Sequence, residues 1–416
     1  MVTASSTARA ALEAAAGKEN LREATETDAI GGVQPKWCAR ASDTEQVAAV
    51  LRAASEHGLR VVPKGSGSKL HWGTPPRAVD LLLDLSTSSG VVEHAAGDLV
   101  VHAKAGTPLA EINRTVEKTG QQLAISQPFP TATVGGAIAT GLSGPQRHLF
   151  GGVRDLLIGI TVVRADGTIT KSGGKVVKNV AGYDLGKIYT GSFGTLGVIT
   201  EAVFRLHPLS AEYRWITATA DTTAEAAGIA DAVRRSQAVP TGIEVHATTD
   251  GPITVCAQLE GRPEATHQRA TELASALGNN TEVTPQPPAW WAQLPFPTGT
   301  GMRIGIKPAD LDQLLTTARR AAQDNDLQLE LTGAAGLGVL HAGLAPDTEP
   351  TAAARSVEAI RNNAEYAVVL HAPQPVRDAI DLWGPLGSGQ LNLMRRVKNQ
   401  FDPENRLAPG RFVGGI

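Results

Sequence analysis

Two cysteines, Cys38 and Cys256, stand in 416 residues, too few and too far apart for a disulfide framework or a thiolate metal site. They fit buried, reduced thiols. Charged residues make up only 19% and the net charge is −3, so there is no broad basic surface and nucleic acid is not an expected partner. No run approaches the roughly 20 apolar residues of a membrane span. The alanine-rich N-terminus is interrupted by Arg9, Glu13, Lys18 and Glu19 and reads as an exposed helix rather than a signal peptide. These absences predict a soluble, cytoplasmic protein. The ten histidines show no metal-ligand spacing, so no metal is expected.

What the chain has in quantity is glycine, 44 residues of it, and enough length for two or three domains. From 36 to 63 the pattern predicts a helix capped by Ser42 with Glu45 as its capping-box partner, burying Val47, Val50, Leu51 and Ala54 and stopped by Gly58. A short strand, "LRVVP", follows. Strands are expected over 79–85, 90–95 and 98–103, then a helix with Thr107 as N-cap and Pro108 at its first position. Asp166-Gly167 predicts a hairpin turn, and 196–206 a long strand ending a first domain near 210. From 211 to about 382, strand and helix patterns recur in two rounds. They predict two α+β units sharing one antiparallel sheet, separated by a proline-rich linker carrying Trp290 and Trp291. That linker pair is either a partner-docking patch or the packed edge of this region. A last helix places Met394, Val397 and Phe401 on one face, and an irregular tail is expected to return to the first domain.

Two glycine clusters invite a chemical reading. "KGSGSK" (64–69) hangs from the end of a strand, where successive backbone N–H groups suit phosphate oxygens. It lacks the Walker spacing, and Gly65 and Gly67 are not followed by the third glycine of a dinucleotide fingerprint. By itself it reads as a turn. The second cluster, "TVGGAIATGLSGPQRHLFGG", begins at Thr133 and requires several turns or close approaches of the backbone.

Together with "GGVRDLLIGITVV", "KNVAGYDL" and "GSFGTLGVITE", these segments resemble FAD-binding proteins of the vanillyl-alcohol oxidase/PCMH type. The resemblance is strong over 36–210 and looser over 384–411. "KNVAGYDLGKIYTGSFGTLGVITEAVF" and "LMRRVKNQFDPENRLAPGR" look most like the FAD-binding E subunit of glycolate oxidase. The resemblance implies an α+β fold with a two-part FAD domain (36–210), a smaller α+β unit beside a larger one around a mixed sheet. It further implies an α+β cap with an antiparallel sheet (211–383) and a C-terminal tail (384–416) returning to the FAD domain, after an N-terminal helical segment (1–35).

By the same resemblance, Gly65, Ser66, Gly67, Ser68 and Lys69 wrap the FAD pyrophosphate. Thr133, Val134, Gly135, Gly136, Ala137, Thr140, Gly141 and Ser143 contact the ribityl chain, pyrophosphate and ring. Gly197, Val198 and Ile199 present backbone groups to flavin or adenine. Lys64 and Lys69 flank the first loop, where either could complement phosphate charge. Two departures matter. Ser66 occupies the middle of a loop that usually reads as three glycines. Ser68 stands where covalent members carry a flavin-linking histidine, the nearest histidine being His71; non-covalent FAD is therefore expected.

Among other candidates, Arg154-Asp155 is expected to be an internal ion pair, and Asp184, Tyr183 and Asn179 to cap and pack. The His-rich motif H-x-G-D-G-N-x-H of the catalytic D subunit is absent. His341 in "GLGVLHAGL" is the nearest approach, with Arg303 on a neighbouring strand; His371 and His148 are further candidates, and no catalytic residue is assigned. The resulting expectation is an FAD-binding subunit of a glycolate oxidase-like dehydrogenase acting on a small 2-hydroxy acid. It would work with a catalytic flavin subunit and an iron–sulfur subunit, at the membrane only through them, and would be yellow but barely active alone. The alternatives are a stand-alone FAD-dependent oxidase or dehydrogenase and a non-catalytic structural subunit.

Overall fold

The computed structural model describes residues 4–175 and 184–416. The expected positions Asn179 and Tyr183 lie outside the described residues. Among the described residues three large sheets carry the fold, with a two-stranded pair, Gln121–Gln122 and His207–Pro208, beside them. The first has four strands in the order Leu21–Glu23, Trp37–Arg40, Leu81–Asp84, Val61–Lys64. The last three run parallel and Leu21–Glu23 pairs antiparallel. The second has five antiparallel strands: Val91–Ala95, Val100–Lys104, Val198–Arg205, Leu157–Val163 and Ile169–Gly173. The mixed sheet therefore belongs to the smaller unit, and the larger one is antiparallel: Val91–Ala95 with Val100–Lys104 and Leu157–Val163 with Ile169–Gly173 are two hairpins, and Val198–Arg205 pairs antiparallel between them.

Local chemistry explains the departures from the expected caps. Asp43, rather than Ser42, caps the helix Thr44–Glu56, its carboxylate accepting from the Gln46 N–H at 2.8 Å. Ser42 sits one residue outside, where its own N–H donates to the Gln46 side chain. Pro108 takes the N-cap place before Leu109–Val116, while the Thr107 hydroxyl bridges to the Gly90 backbone. The N-terminal helix Ala4–Ala16 is not simply exposed: Ala8, Leu12 and Ala16, four residues apart, are buried against Thr44–Glu56. A fully buried leucine contributes about 1.5–3 kcal/mol, enough to hold a helix this short.

The third sheet has eight antiparallel strands, in the order Thr281–Thr284, Glu212–Ala220, Ile253–Gly261, Gly242–Thr248, Leu329–Ala334, Val339–Leu344, Thr300–Gly305 and Tyr366–His371. The two repeating rounds meet at the central pair, Gly242–Thr248 with Leu329–Ala334. Helices Thr223–Arg235, Pro263–Leu277, Leu311–Asp324 and Pro350–Arg361 bury an aliphatic core on one face. Strand alternation places Glu244, Thr332 and His341 on the other face, which is buried yet polar. Trp290 stacks on His246 with centroids 5.2 Å apart, and Trp291 is buried beside Gly242. The pair is thus packed on the sheet, with Trp290 half-buried and Trp291 buried.

The C-terminal segment packs on the first sheet. Val61 donates to Arg406 O and accepts from Ala408 N–H, a parallel bridge added to the first sheet. Lys398, on the helix Ser388–Phe401, is buried with its ammonium on Asp402 at 2.6 Å and on the carbonyls of Thr195 and Leu407. Val397 and Phe401 pack against the five-stranded core, whereas Met394 is exposed.

Candidate functional site

A cleft lies where the first two sheets and the tail meet. The strand Val61–Lys64 ends at its edge, and Gly65 to Lys69 turn along its wall. Inside this loop the Leu70 N–H returns to Gly67 O at 3.0 Å, with Gly67 at φ +83°. The amides of Gly65 through Lys69 find no acceptor among the described residues. Such a row of free donors suits an anion.

The second glycine segment forms the helix Val134–Thr140, capped by Thr133, whose hydroxyl accepts from Gly136 N–H at 3.3 Å. Its other leading amides are also engaged, Val134 on Thr107 O and Gly135 on Ala105 O. This segment therefore offers the cleft a bare surface rather than donors. Gly135, Gly136, Ala139 and Thr140 face the cleft, while Val134 and Ala137 point into the core. Gly141 ends the helix in the left-handed region, and Ser143 accepts from Val153 N–H and lines a different cavity. Gly197 and Ile199 reach the cleft; Val198, between them, faces the opposite core by strand alternation. Gly197 also has a packing reason to be glycine, since a Cβ there would lie 2.4 Å from Val162 Cγ1.

The cations sort themselves. Lys64 is 3.6 Å from Asp84 and so has a carboxylate already. Lys69 is buried, donates to Gln127 Oε1 at 3.2 Å and lies 5.0 Å from the centre of the Phe129 ring. Burial pushes its ammonium down to about 8. Arg411 comes from the tail, 341 residues beyond Leu70, whose carbonyl it holds along with that of Trp72. Its Nε has no partner, and burial pushes it down to about 10. Neither cation has a carboxylate partner among the described residues. An uncompensated buried lysine costs about 3 kcal/mol of stability at neutral pH, which favours a ligand that supplies the missing negative charge. Reasoning along the sequence missed Arg411 and Phe193-Gly194 as cleft residues; both lay inside segments already quoted for the resemblance.

Other candidates fall elsewhere. Arg154 and Asp155 do not pair: the Asp155 carboxylate instead accepts from Gly152 N–H at 2.9 Å, capping its own turn. Asp184 pairs with Lys187 at 3.3 Å. His148 packs on Gly336 at the third sheet, outside the cleft. His371 Nδ1 is 3.0 Å from Gly299 O, and its ring stacks on Trp72 and meets His71 edge-on; burial pushes it down to about 4. His71 is exposed. Both cysteines are buried and free.

His341 lines a second, small cavity, bounded by Arg147, Glu244, Thr332 and the chain from Leu142 to Pro145. Arg303, its cross-strand neighbour, donates to the Thr140 carbonyl at 3.2 Å. Thr140 faces the first cleft, so one turn of backbone separates the two cavities.

The family described as "FAD binding domain" matches residues 35–173, and "FAD linked oxidases, C-terminal domain" matches 385–412. Glycolate oxidase subunit GlcD of Bacillus subtilis is 29% identical, across 89% of this chain and 87% of its own length. Glycolate oxidase subunit GlcE of Escherichia coli is 40% identical, across 36% of this chain and 42% of its own length. A D-lactate dehydrogenase of Archaeoglobus fulgidus is 35% identical, across 40% and 38%. The last two alignments each span less than half of the relative. Among solved structures, p-cresol methylhydroxylase superposes with a TM-score of 0.75 at 18% identity, covering 98% of this chain and 96% of that one. Alkyldihydroxyacetonephosphate synthase gives 0.72 at 17%, covering 97% and 84%. These two likenesses establish the architecture, an FAD domain of the PCMH type with a cap.

Proposed function

We propose, on the premise that this chain is an FAD-linked oxidoreductase of the glycolate oxidase and D-lactate dehydrogenase type, that it serves as the FAD-binding subunit of a glycolate oxidase-like complex. In that complex it passes electrons from a small 2-hydroxy acid to partner subunits, a catalytic flavin subunit and an iron–sulfur subunit. The division at 36–210, 211–383 and 384–416 assigns cofactor binding to the first and last segments. The observation that carries this reading is the pair of buried, uncompensated cations, Lys69 and Arg411, beside the free amides of Gly65 to Lys69.

The residues fit the cofactor. The free amides, with the hydroxyls of Ser66 and Ser68, would donate hydrogen bonds to the pyrophosphate oxygens, and Lys69 and Arg411 would balance its charge. Gly135, Gly136 and Thr140 would give a close, uncharged wall. Bound FAD supplies a two-electron acceptor. The chain's own part is to hold it, to exclude water with the apolar lining of Leu70, Leu85 and Phe193, and to keep it non-covalent through Ser68. No H-x-G-D-G-N-x-H motif contributes a base, which supports reliance on a catalytic partner.

The test is reconstitution. Purified chain should be yellow and should reduce a dye slowly with glycolate, the rate rising at least tenfold when partner subunits from the same source are added. Full turnover by the isolated chain would overturn the assignment as a dependent subunit.

A further inference from the structure

The last helix is thinly covered. Of the 14 residues of Ser388–Phe401 only Lys398 is buried, although a helix of this length is marginal in water without a packed face. Leu393, Val397 and Phe401, four residues apart, share one side of it. Val397 and Phe401 pack against the five-stranded core. The stripe runs on past that core to Leu393, which is 58% exposed, with Met394 exposed beside it. At its other end the stripe enters a groove. Gln400 and Phe401 line it from the helix, Thr170 to Ser172 from the edge strand of the sheet, and Leu185 and Tyr189 from the segment between. Tyr189 meets the Phe401 ring edge-on, centroids 5.8 Å apart, and Leu185 is exposed.

The rim of this surface is cationic. Arg164 and Lys171 line the groove, and Arg395 and Arg396 follow Met394 on the helix, both exposed. No aspartate or glutamate occurs between Ser388 and Phe401, and none lines the groove among the described residues. None of the four cations forms an ion pair among the described residues. Arg164 Nε is buried without a hydrogen-bond partner, while its Nη2 reaches the Gln400 carbonyl at 3.5 Å. Arg395 donates to Gly414 O at 3.3 Å. An apolar stripe that runs into solvent between uncompensated cations complements a partner with an apolar stripe of its own and carboxylates along its edges.

We propose that this face docks an acidic amphipathic helix of a partner subunit. The apolar side chains of that helix lie along Leu393, Val397 and Phe401, one of them filling the groove. Its aspartates and glutamates meet Arg164, Lys171 and Arg396. From Leu393 to Phe401 the stripe spans about 12 Å at 1.5 Å per residue, the length of roughly two turns of a partner helix. The groove favours a protein over a lipid surface, because a side chain can enter a concave site and a flat headgroup layer cannot. The docking site rests on the reading of this chain as a dependent subunit, and it shares no lining residue with the FAD cleft. Association and cofactor loading are therefore separable by mutation.

Calorimetric titration of the FAD-loaded chain with purified partner subunits from the same source tests this. Leu393→Glu should weaken association at least tenfold and Arg396→Glu at least fivefold, with flavin content and melting curve unchanged. Raising sodium chloride from about 0.1 to about 0.5 M should weaken the wild-type complex at least threefold, and the Arg396→Glu complex less. Val92→Glu, an exposed position on the opposite edge of the same sheet, should associate as the wild type does. A complex that tolerates both Leu393→Glu and Arg396→Glu would overturn this face as the docking site and leave the subunit reading intact. No complex with the wild-type chain would overturn the subunit reading, and the docking site with it. Sedimentation with vesicles of phosphatidylcholine and phosphatidylglycerol completes the test. Binding to them that Leu393→Glu abolishes would assign the face to an anionic membrane instead of a protein.

Discussion

Gly65 lies so close to Thr133 that a Cβ on the glycine would stand 2.4 Å from the threonine Oγ1. The two glycine segments, 68 positions apart in the chain, therefore touch at one atom. That atom also caps the helix Val134–Thr140.

Gly65→Ala must displace Thr133 and release Gly136 N–H. Loss of an N-cap costs about 1 kcal/mol, and the shift also narrows the cleft. The expected outcome is a modest fall in melting temperature with at least a tenfold loss of FAD affinity, read by flavin fluorescence quenching. An unchanged affinity would separate the loop contact from cofactor binding.

Lys69 makes affinity and stability move in opposite directions with pH. Its ammonium is pushed from the ordinary 10.5 down to about 8 in the folded chain. Between these values the unfolded chain holds the extra proton, so stability of the FAD-free protein rises as pH climbs from 8 to 10.5, by about 3 kcal/mol at most. FAD affinity should weaken over the same rise, as the cation facing the pyrophosphate is lost. Lys69→Met should flatten both profiles, raising stability at pH 7 while weakening FAD. Denaturant melts and FAD titrations at pH 6.5 to 9.5 check the two slopes.

Ser68 and the exposed His71 predict the attachment of the cofactor. Precipitation with acid should release the flavin into the supernatant. Flavin retained in the pellet would identify a covalent bond and overturn the reading of Ser68.

Asp402 accepts from Lys398 and from the Arg406 and Leu407 amides, all within 3.0 Å. Asp402→Ala leaves a buried ammonium without its counter-charge, at a cost of about 3–5 kcal/mol. It also frees the tail that carries Arg411. Flavin content should fall together with the melting temperature, whereas Arg411→Met should lower flavin content with a smaller thermal effect.

The sequence by itself determined the elements and much of the cleft. Period-2 and period-3.6 patterns place the strands and helices, and glycine marks where backbone approaches closely: Gly67 needs its positive φ, Gly65 and Gly197 have no room for a side chain. Tertiary structure alone decided which cations lack a partner. Lys64 and Lys69 look alike in sequence, yet Lys64 meets Asp84 across a parallel strand pair and Lys69 is buried facing Phe129. Arg411 joins them only because the tail pairs with Val61. The cavity of Arg147, Glu244 and His341 is assembled from three distant segments. Local patterns report which face of an element is apolar; they carry no information on the partner, or the dielectric, that a polar side chain will meet.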